Sequence, residues 1–297
     1  MGKDDKPTQK TANPRKKERR PMERLRIKGM GRFSLAIMAI AVTVAFLVTP
    51  VHADTVKYVA HAGYRADNTM RLNSKAAFEA AGQMGFWGCE CDINEAKGRV
   101  IVTTHNPRIG NTSLNKISYK TIIKKVNSQT GSTLTNAEGA ATFGDFTRAC
   151  KKYNMVPFVE VKSSMTKAGV RKSVDFLKKN GMLTNETTYL GFMSKRAEYA
   201  AYAKKYARSK YGVKIKAVVF IKNASETSKA KSFAKKHGMN GISIRESQVN
   251  STFYSKSKGM DRHGYADHLQ KFNLSQIQRM VDKYGIQTVT TNNIPVQ

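Results

Sequence analysis

From Val56 onward, short apolar runs alternate with longer stretches whose apolar residues recur at helical spacing. Runs such as VKYVA (56–60), VPFVEVK (156–162) and KAVVFI (216–221) are rich in β-branched and aromatic residues, which is typical of buried strands. Each stretch between two such runs has room for one helix. Repeated strand-helix units predict a parallel sheet covered by helices, which is the α/β class.

The pattern gives each element an approximate position. Strands are predicted at 56–60, 87–93, 156–162, 187–192, 216–221, 241–244 and 287–291, with a further extended piece at 98–105. Helices are predicted at 73–85, 143–154, 167–180, 194–207, 225–237 and 275–284. In the first helix, Asn73 is the expected N-cap and Gly85 the expected stop.

The number of residues decides between two architectures for these elements. The 244 residues from Asp54 to Gln297 suit a single (β/α)₈ TIM barrel, which typically takes about 250 residues. A seventh strand is the weak point, because the segment DHLQKFN (267–273) is polar for a strand that is buried on both faces. The alternative is an open doubly wound sheet, but no Gly-rich loop follows the first strand to support it.

The segment 1–53 precedes this domain and has the composition of an export signal. Scattered Lys and Arg residues lead into the uncharged run Leu35–Val48, and the small-x-small pattern Val51-His52-Ala53 follows. The sequence therefore predicts a signal peptide, with an uncleaved membrane anchor as the alternative reading of the same run. In both cases the domain 54–297 is expected outside the cytoplasm, secreted or anchored to the membrane.

The charge balance is strongly basic, with 52 Lys and Arg residues against 21 Asp and Glu residues. Of these, 12 basic and 4 acidic residues lie within 1–53, so the domain keeps 40 basic and 17 acidic residues. Such a surface attracts polyanions, and nucleic acid, anionic lipid and phosphate-containing cell-wall polymers all fit the charge alone. No nucleic-acid-binding module is recognised, so a specific nucleic-acid partner is not expected.

Three cysteines are too few for a disulfide framework in a domain of this size. Cys89 and Cys91 are two residues apart on a predicted strand, which prevents normal bridge geometry. We interpret them, and Cys150, as small buried apolar side chains.

The stretch WGCECDINEAKGRVIVTTHN (87–106) carries the first acidic residues of interest. Successive side chains of a strand point to opposite faces, so Glu90 and Asp92 point the same way and the two cysteines beside them point the other way. Two carboxylates on one face of an apolar strand require a cation or a solvent-filled mouth.

Other polar side chains lie at the ends of neighbouring strands. In a barrel, residues at the carboxyl ends of the strands face the active site. The residues expected there are His61, Glu90, Asp92, His105, Glu160 and Lys162. Three carboxylates suit Mg²⁺ or Ca²⁺, and two histidines beside a metal-bound phosphate suit acid-base cleavage of a P–O bond. By contrast, His237, His263 and His268 are interpreted as surface or loop residues, and a second cation site at Asp261, His263, Asp267 and His268 is not favoured.

Several segments resemble the glycerophosphodiester phosphodiesterase family. They are AHAGYRADNT (60–69), AFEAAGQMGFWGCECDINEAKGRVIVTTHN (77–106), PFVEVK (157–162) and GIQTVTTNNIP (285–295). The resemblance spans about residues 56 to 295. It implies a TIM barrel, one divalent cation (Ca²⁺ or Mg²⁺) held by Glu90, Asp92 and Glu160, and His61 and His105 as the acid-base pair. It also implies that Lys162 lies near the phosphate.

The chain departs from the family pattern at three positions. Ala62 replaces the Arg after the first His, which removes a bidentate phosphate donor; Arg65 is the candidate substitute. Asp67 replaces the Glu of an E-N-T motif, and Asn106 replaces the Asp after the second His. Asn106 carries no charge to hold the tautomer of His105.

The sequence thus predicts an exported, metal-dependent phosphodiesterase that hydrolyses glycerophosphodiesters to glycerol phosphate and an alcohol. One alternative is a phospholipase of the same fold, phospholipase D-like or acting on lysophospholipid headgroups at a membrane. The other is a catalytically weak surface protein that binds polyanions such as teichoic acids. The residue types do not decide which histidine is the acid.

Overall fold

The computed structural model describes residues 56–64, 71–129, 141–266 and 274–292. In this part of the chain, eight parallel strands form a closed barrel, because β1 pairs with both β2 and β8. The strands are β1 (Lys57–Ala60), β2 (Gly88–Ala96), β3 (Val156–Val161), β4 (Thr188–Phe192), β5 (Lys216–Ile221), β6 (Gly241–Arg245), β7 (Asp261–Ala266) and β8 (Thr288–Thr291). The predicted TIM barrel is confirmed, and the doubly wound alternative is excluded by the closure.

Helices cover the outside of the barrel. They are α1 (Lys75–Gln83), α2 (Tyr119–Gln129), α3 (Phe143–Lys152), α4 (Lys167–Lys179), α5 (Lys195–Tyr211), α6 (Thr227–His237), α7 (Ser251–Lys256) and α8 (Leu274–Tyr284). Single 3₁₀ turns occur at Leu114–Lys116, Ala224–Glu226 and Glu246–Gln248. Each predicted helix has an observed counterpart, whereas α2 and α7 were not predicted.

The connection between β2 and β3 carries the additional strands. Val100–Thr103 folds back antiparallel on the second half of β2, and Ala141–Thr142 pairs with it in turn. A small hairpin joins Arg108–Ile109 to Thr112–Ser113. The extended piece predicted at 98–105 is therefore a hairpin arm that lengthens β2, and it is not a barrel strand.

Apolar side chains on the two faces of the barrel strands form two separate cores. The larger lies between the strands and the helices, and it includes Cys89, Cys91 and Cys150 as free, buried thiols. The smaller fills the barrel interior with Val59, Phe158, Leu190, Val218, Phe220 and Tyr265. The cysteines thus lie on the helix side of the sheet, as the alternation along β2 predicted.

The cap of α1 differs from the prediction. Ser74 is the N-cap, and its hydroxyl accepts a hydrogen bond from the Ala77 amide at 3.1 Å. Asn73 precedes it with a φ of 61°, and its side chain is used elsewhere. Gly85 follows the helix with a φ of 76°, a left-handed conformation that glycine adopts without strain, so the predicted stop is confirmed.

The seventh barrel strand is Asp261–Ala266, upstream of the polar segment 267–273 considered for it. Its sequence DRHGYA contains no aliphatic β-branched residue, so the hydrophobic pattern does not mark it as a strand. Packing accounts for the small residue on its outer face. A Cβ at Gly264 would lie 2.8 Å from Cε of Met280 on α8, so glycine leaves room for the tip of that side chain.

His263 on β7 corrects a second prediction, because it is neither a surface nor a loop residue. It is 4% exposed, and its Nδ1 lies 2.7 Å from the Thr288 hydroxyl of β8. Its buried Nε2 has no hydrogen-bond partner in the described part of the chain. Burial, and then the nearby charge of Lys216, lower the pKa of His263 to about 3. The imidazole is therefore neutral inside the barrel at neutral pH.

This histidine should make the stability of the protein fall in acid. The unfolded chain binds a proton at His263 below a pH of about 6.5, whereas the folded protein does not until about pH 3. Stability should therefore fall by about 1.4 kcal/mol per pH unit as the pH decreases through that window. His263→Gln cannot titrate, so its loss of unfolding free energy between pH 7 and pH 5 in urea should be smaller by about 2 kcal/mol. His237→Gln, at a half-buried position on α6, is the control, and an equal pH slope in wild type and His263→Gln would contradict the assignment.

Several predictions fall on residues outside the described part of the chain. These are the segment 1–53, Arg65, Asp67, Asp267, His268 and the polar segment 267–273. Among the described helices, none is both long and apolar enough to cross a bilayer.

Candidate active site

Three carboxylates converge at the carboxyl ends of β2 and β3. Glu90 and Asp92 lie on β2, and Glu160 lies on β3 directly opposite Asp92 in the strand register. All three are buried, and one oxygen of each lies within 4.8 Å of the others. The predicted acidic triad is thus brought together in space.

Backbone geometry after β1 holds Glu90. The Ala62 amide donates a hydrogen bond of 2.8 Å to Glu90 Oε2, from a turn in which Ala62 and Gly63 both have positive φ. The other oxygen, Oε1, is buried and has no hydrogen-bond partner among the described residues. A buried carboxylate oxygen without a partner costs free energy unless a cation satisfies it.

Asn73 holds Asp92 by a reciprocal pair of hydrogen bonds. Its side-chain nitrogen donates to Asp92 Oδ2 at 2.7 Å, and its side-chain oxygen accepts from the Asp92 amide at 2.9 Å. The Thr103 hydroxyl donates to the Asn73 carbonyl at 2.9 Å. Asn73 therefore fixes the orientation of one acid in the triad, which explains why it is not available as a helix cap.

Lys162, the first residue after β3, is the cation within this group. Its ammonium lies 2.7 Å from Asp92 Oδ1 and 2.6 Å from Glu160 Oε1, and its side chain is 4% exposed. Burial opposes its charge, but these two carboxylates raise the pKa of Lys162. Burial would likewise raise the pKa of Asp92, yet Lys162 and then His105 hold it well below its usual range.

The negative charges of the other two acids, Glu90 and Glu160, are not fully balanced by nearby cations. Burial first, and then the charges of Asp92 and Glu160, raise the pKa of Glu90 well above its ordinary value. Burial and Asp92 also raise the pKa of Glu160 to about 7. One ammonium does not balance three buried carboxylates, and all the donors are hard oxygens, so the group fits a bound Mg²⁺ or Ca²⁺. Glu90 Oε1, Asp92 and Glu160 would hold it.

His105 lies beside Asp92 on the solvent side of the triad. Its Nδ1 is 3.3 Å from Asp92 Oδ2, and its side chain is 72% exposed. The hydrogen bond to Asp92 raises the pKa of His105. The neighbouring Asn106 is exposed and uncharged. The negative charge beside the His105 ring comes from Asp92 instead.

His61 follows β1 and is held by a different kind of partner. Its Nδ1 lies 2.9 Å from the side-chain oxygen of Asn292, which follows β8. Because an amide oxygen accepts, the proton of the neutral imidazole is on Nδ1 and Nε2 keeps its lone pair. The next residue, Ala62, binds Glu90, which places His61 at the same mouth as the triad.

Most of the predicted site residues are found at one end of the barrel. Glu90, Asp92, Glu160, Lys162 and His105 lie in one connected group, and His61 adjoins it through the backbone of the following residue. Arg65, the candidate phosphate donor, lies outside the described residues.

Three further residues were not predicted for the site. Asn73 and Asn292 orient Asp92 and His61, and Arg196 on α5 places Nη1 3.9 Å from Glu160 Oε1. The position of Asn292 directly after the last strand is a signal that the sequence offers, because it places the residue at the carboxyl ends of the barrel strands, beside the triad. The sequence contains no comparable signal for Arg196, because its contact with Glu160 depends on where α5 begins.

A cavity at the opposite end of the barrel lies away from these residues. It has a volume of about 510 Å³ and is lined at the amino ends of the strands by residues including Lys57, Lys216, Asp261 and Thr288. The smaller cavity, of about 270 Å³, includes Lys162 in its lining and so adjoins the triad. The side-chain chemistry, and not the cavity size, identifies the site.

Comparison with solved structures gives a consistent result. A glycerophosphodiester phosphodiesterase from Parabacteroides distasonis superposes with a TM-score of 0.57 at 20% identity, over 80% of this chain and 92% of that one. The enzyme of the same name from Agrobacterium tumefaciens gives 0.56 at 15% identity, over 80% and 96%. The chain has the fold of these phosphodiesterases.

A third similar structure contains a ligand. It is a phosphodiesterase from Oleispira antarctica in complex with the product sn-glycerol-3-phosphate, with a TM-score of 0.57 at 14% identity, over 80% of this chain and 92% of that one. No protein-family model matches the chain, and no curated protein matches it. At 14–20% identity the likeness establishes the fold.

Proposed function

We propose that this protein is a metal-dependent phosphodiesterase that hydrolyses glycerophosphodiesters to glycerol phosphate and an alcohol. The observation that carries the proposal is the buried triad of Glu90, Asp92 and Glu160, with an unpartnered oxygen on Glu90 and two histidines at the same mouth. The fold shared with solved glycerophosphodiester phosphodiesterases supports it. The product bound to the Oleispira antarctica protein supports glycerol phosphate as one of the products.

The hydrogen bonds of the two histidines suggest a division of roles. His61 donates from Nδ1 to an amide oxygen and keeps a lone pair on Nε2, which suits a general base that accepts the proton of the attacking water or hydroxyl. His105 is paired with a carboxylate, which stabilises its protonated form and suits a general acid that protonates the leaving alcohol. We therefore assign His61 as the base and His105 as the acid.

The remaining residues bind and orient the phosphate. A divalent cation held by the triad would act as a Lewis acid on the phosphoryl group. The Lys162 ammonium lies between Asp92 and Glu160, where it can also donate to a phosphate oxygen. Asn73 and Asn292 hold Asp92 and His61 in the required orientations, which reduces the rearrangement needed for reaction.

The direct test is hydrolysis by purified 54–297 protein on a panel of glycerophosphodiesters and lysophospholipids. We expect glycerol phosphate to be released in the presence of Ca²⁺ or Mg²⁺, and EDTA to abolish the release. Faster cleavage of lysophospholipids would favour the phospholipase alternative. Folded protein that hydrolyses none of these substrates with either cation would contradict the proposal and favour the polyanion-binding alternative.

We further propose that the domain acts outside the cytoplasm. The support is the composition of the first 53 residues, in which a basic segment is followed by an apolar run and then by Val51-His52-Ala53. We expect full-length protein expressed with its own first 53 residues to be recovered outside the cell with Asp54 at its N-terminus. Recovery from the cytoplasm with the first 53 residues intact would contradict this localisation.

A further inference from the structure

The smaller cavity, of about 270 Å³, adjoins the triad and has a strongly positive lining. It lies between the segment after β3 and the first turns of α5, and its lining residues are Lys162, Ser163, Met165, Ser194, Lys195, Arg196 and Tyr199. Three of these seven residues are cationic, and none of the seven is acidic. Glu198 is on the same turn of α5 but is exposed and outside the lining.

Two residues of the cavity lining also contact the acids of the candidate active site. Lys162 contacts both Asp92 and Glu160, and Arg196 Nη1 lies 3.9 Å from Glu160 Oε1. A phosphate that contacts Lys162 would therefore lie beside this cavity. The cavity is the place for a part of the substrate that lies beyond the scissile phosphate.

The charges beyond the triad exceed what the scissile phosphate requires. A divalent cation and Lys162 together balance the three carboxylates, and the scissile diester carries one negative charge. Lys195 and Arg196 then add two positive charges, one more than the diester requires, and aromatic rings support the positions of both side chains beside the cavity. The Lys195 ammonium lies 5.6 Å from the Tyr199 ring, and the Arg196 guanidinium lies 5.5 Å from the Phe192 ring.

We infer that this cavity binds a second anionic group, so that the preferred substrates are phosphodiesters whose alcohol carries a further phosphate. The inference rests on the proposed phosphodiesterase function. Ser163 adds a hydroxyl donor beside Lys195 and Arg196, and together they match the several acceptor oxygens of a phosphate. With an uncharged or cationic headgroup, one positive charge beside the cavity would stay uncompensated.

A matched pair of substrates tests this preference. One is glycerophosphoglycerol, and the other is the same diester with a phosphate on the terminal glycerol hydroxyl. We expect wild type to have the higher kcat/KM on the phosphorylated diester. The ratio of the two kcat/KM values should fall on the order of tenfold in Lys195→Gln and in Arg196→Gln, because each removes a charged donor to the second phosphate. Lys205→Gln removes the same charge from an exposed position on α5 outside the cavity, and it should keep the ratio of wild type.

Three outcomes would overturn the inference: no preference in wild type, a ratio unchanged by both variants, or equal losses on both substrates. Equal losses would mean that Arg196 contacts the scissile phosphate. Calorimetric binding of glycerol 1,3-bisphosphate against glycerol 3-phosphate provides a second readout that needs no turnover. If neither diester is hydrolysed but the bisphosphate binds more tightly and loses that advantage in Lys195→Gln, the proposed reaction fails and the anion site stands. If the bisphosphate has no advantage, the anion site fails.

Discussion

Glu90→Gln should abolish measurable hydrolysis and yet make the metal-free protein more stable than wild type. Glu90 is buried beside two other carboxylates, which raises its pKa well above the ordinary value. A carboxyl group whose pKa is raised on folding loses stability as the pH rises above its unfolded value of about 4.3. At pH 7 the neutral amide avoids that loss, so without added cation the melting temperature should rise by several degrees.

The higher melting temperature of Glu90→Gln relative to wild type should disappear when the cation is added. A bound ion stabilises the native state by mass action, so wild type should melt at higher temperature with Ca²⁺ or Mg²⁺ and Glu90→Gln should not. Losing the ion removes several kcal/mol of transition-state charge stabilisation, which corresponds to a fall in kcat/KM on the order of 10³ or more.

Asp92 should behave differently in the absence of a cation, because the Lys162 ammonium holds its pKa well below the usual range. Asp92→Asn removes that ion pair, so it should lower the melting temperature while also abolishing activity. Glu160→Gln should abolish activity without lowering the melting temperature, because the pKa of Glu160 is raised to about 7 on folding. Glu79→Gln removes an acid of the same charge that pairs with Lys152 on the outside of the barrel, and it should change neither activity nor cation response. If EDTA leaves wild-type activity intact and Glu90→Gln turns over normally, the cation site is wrong.

The sequence predicted the barrel well because eight repeats of one physical unit leave a strong pattern. Strands such as KAVVFI at β5 are apolar on both faces, so their composition alone identifies them. β7 could not be found in this way, since its interior positions are Asp261, His263 and Tyr265 and its outer face is a glycine against α8. Such a strand is stabilised by its neighbours, and local hydrophobicity does not report that.

The site residues divide in the same way: those fixed by the local strand pattern were predictable, and those fixed by tertiary contacts were not. Glu90, Asp92, Glu160 and Lys162 were predictable because alternation along a strand and the end of that strand fix where they point. The residues that orient them were not, because Asn73 looks like an ordinary helix cap and Arg196 lies in an ordinary first helical turn. Their contacts with Asp92 and Glu160 depend on how two loops and α5 meet the barrel.

The two histidines should lose activity in different ways when replaced. His61→Gln and His105→Gln should each lower kcat/KM on a natural glycerophosphodiester by on the order of 10²–10⁴, the usual contribution of a positioned proton-transfer group. Neither change should cost much stability, because the His105 side chain is 72% exposed and no large apolar volume is removed at either position. His237→Gln, on the outer helix α6, is the control for histidine replacement and should retain full activity.

The leaving group then separates the acid from the base. Nitrophenolate needs little protonation to depart, so His105→Gln, which lacks the proposed acid, should be impaired far less on a nitrophenyl phosphodiester than on the natural substrate. His61→Gln lacks the group that deprotonates the nucleophile, and that step is required for both substrates, so its defect should be similar on both. The reverse pattern would exchange the two roles and show that the Asn292 and Asp92 hydrogen bonds do not determine them. Equal defects of both variants on both substrates, or variants that unfold while their folded fraction turns over normally, would show that neither imidazole transfers a proton to the leaving group.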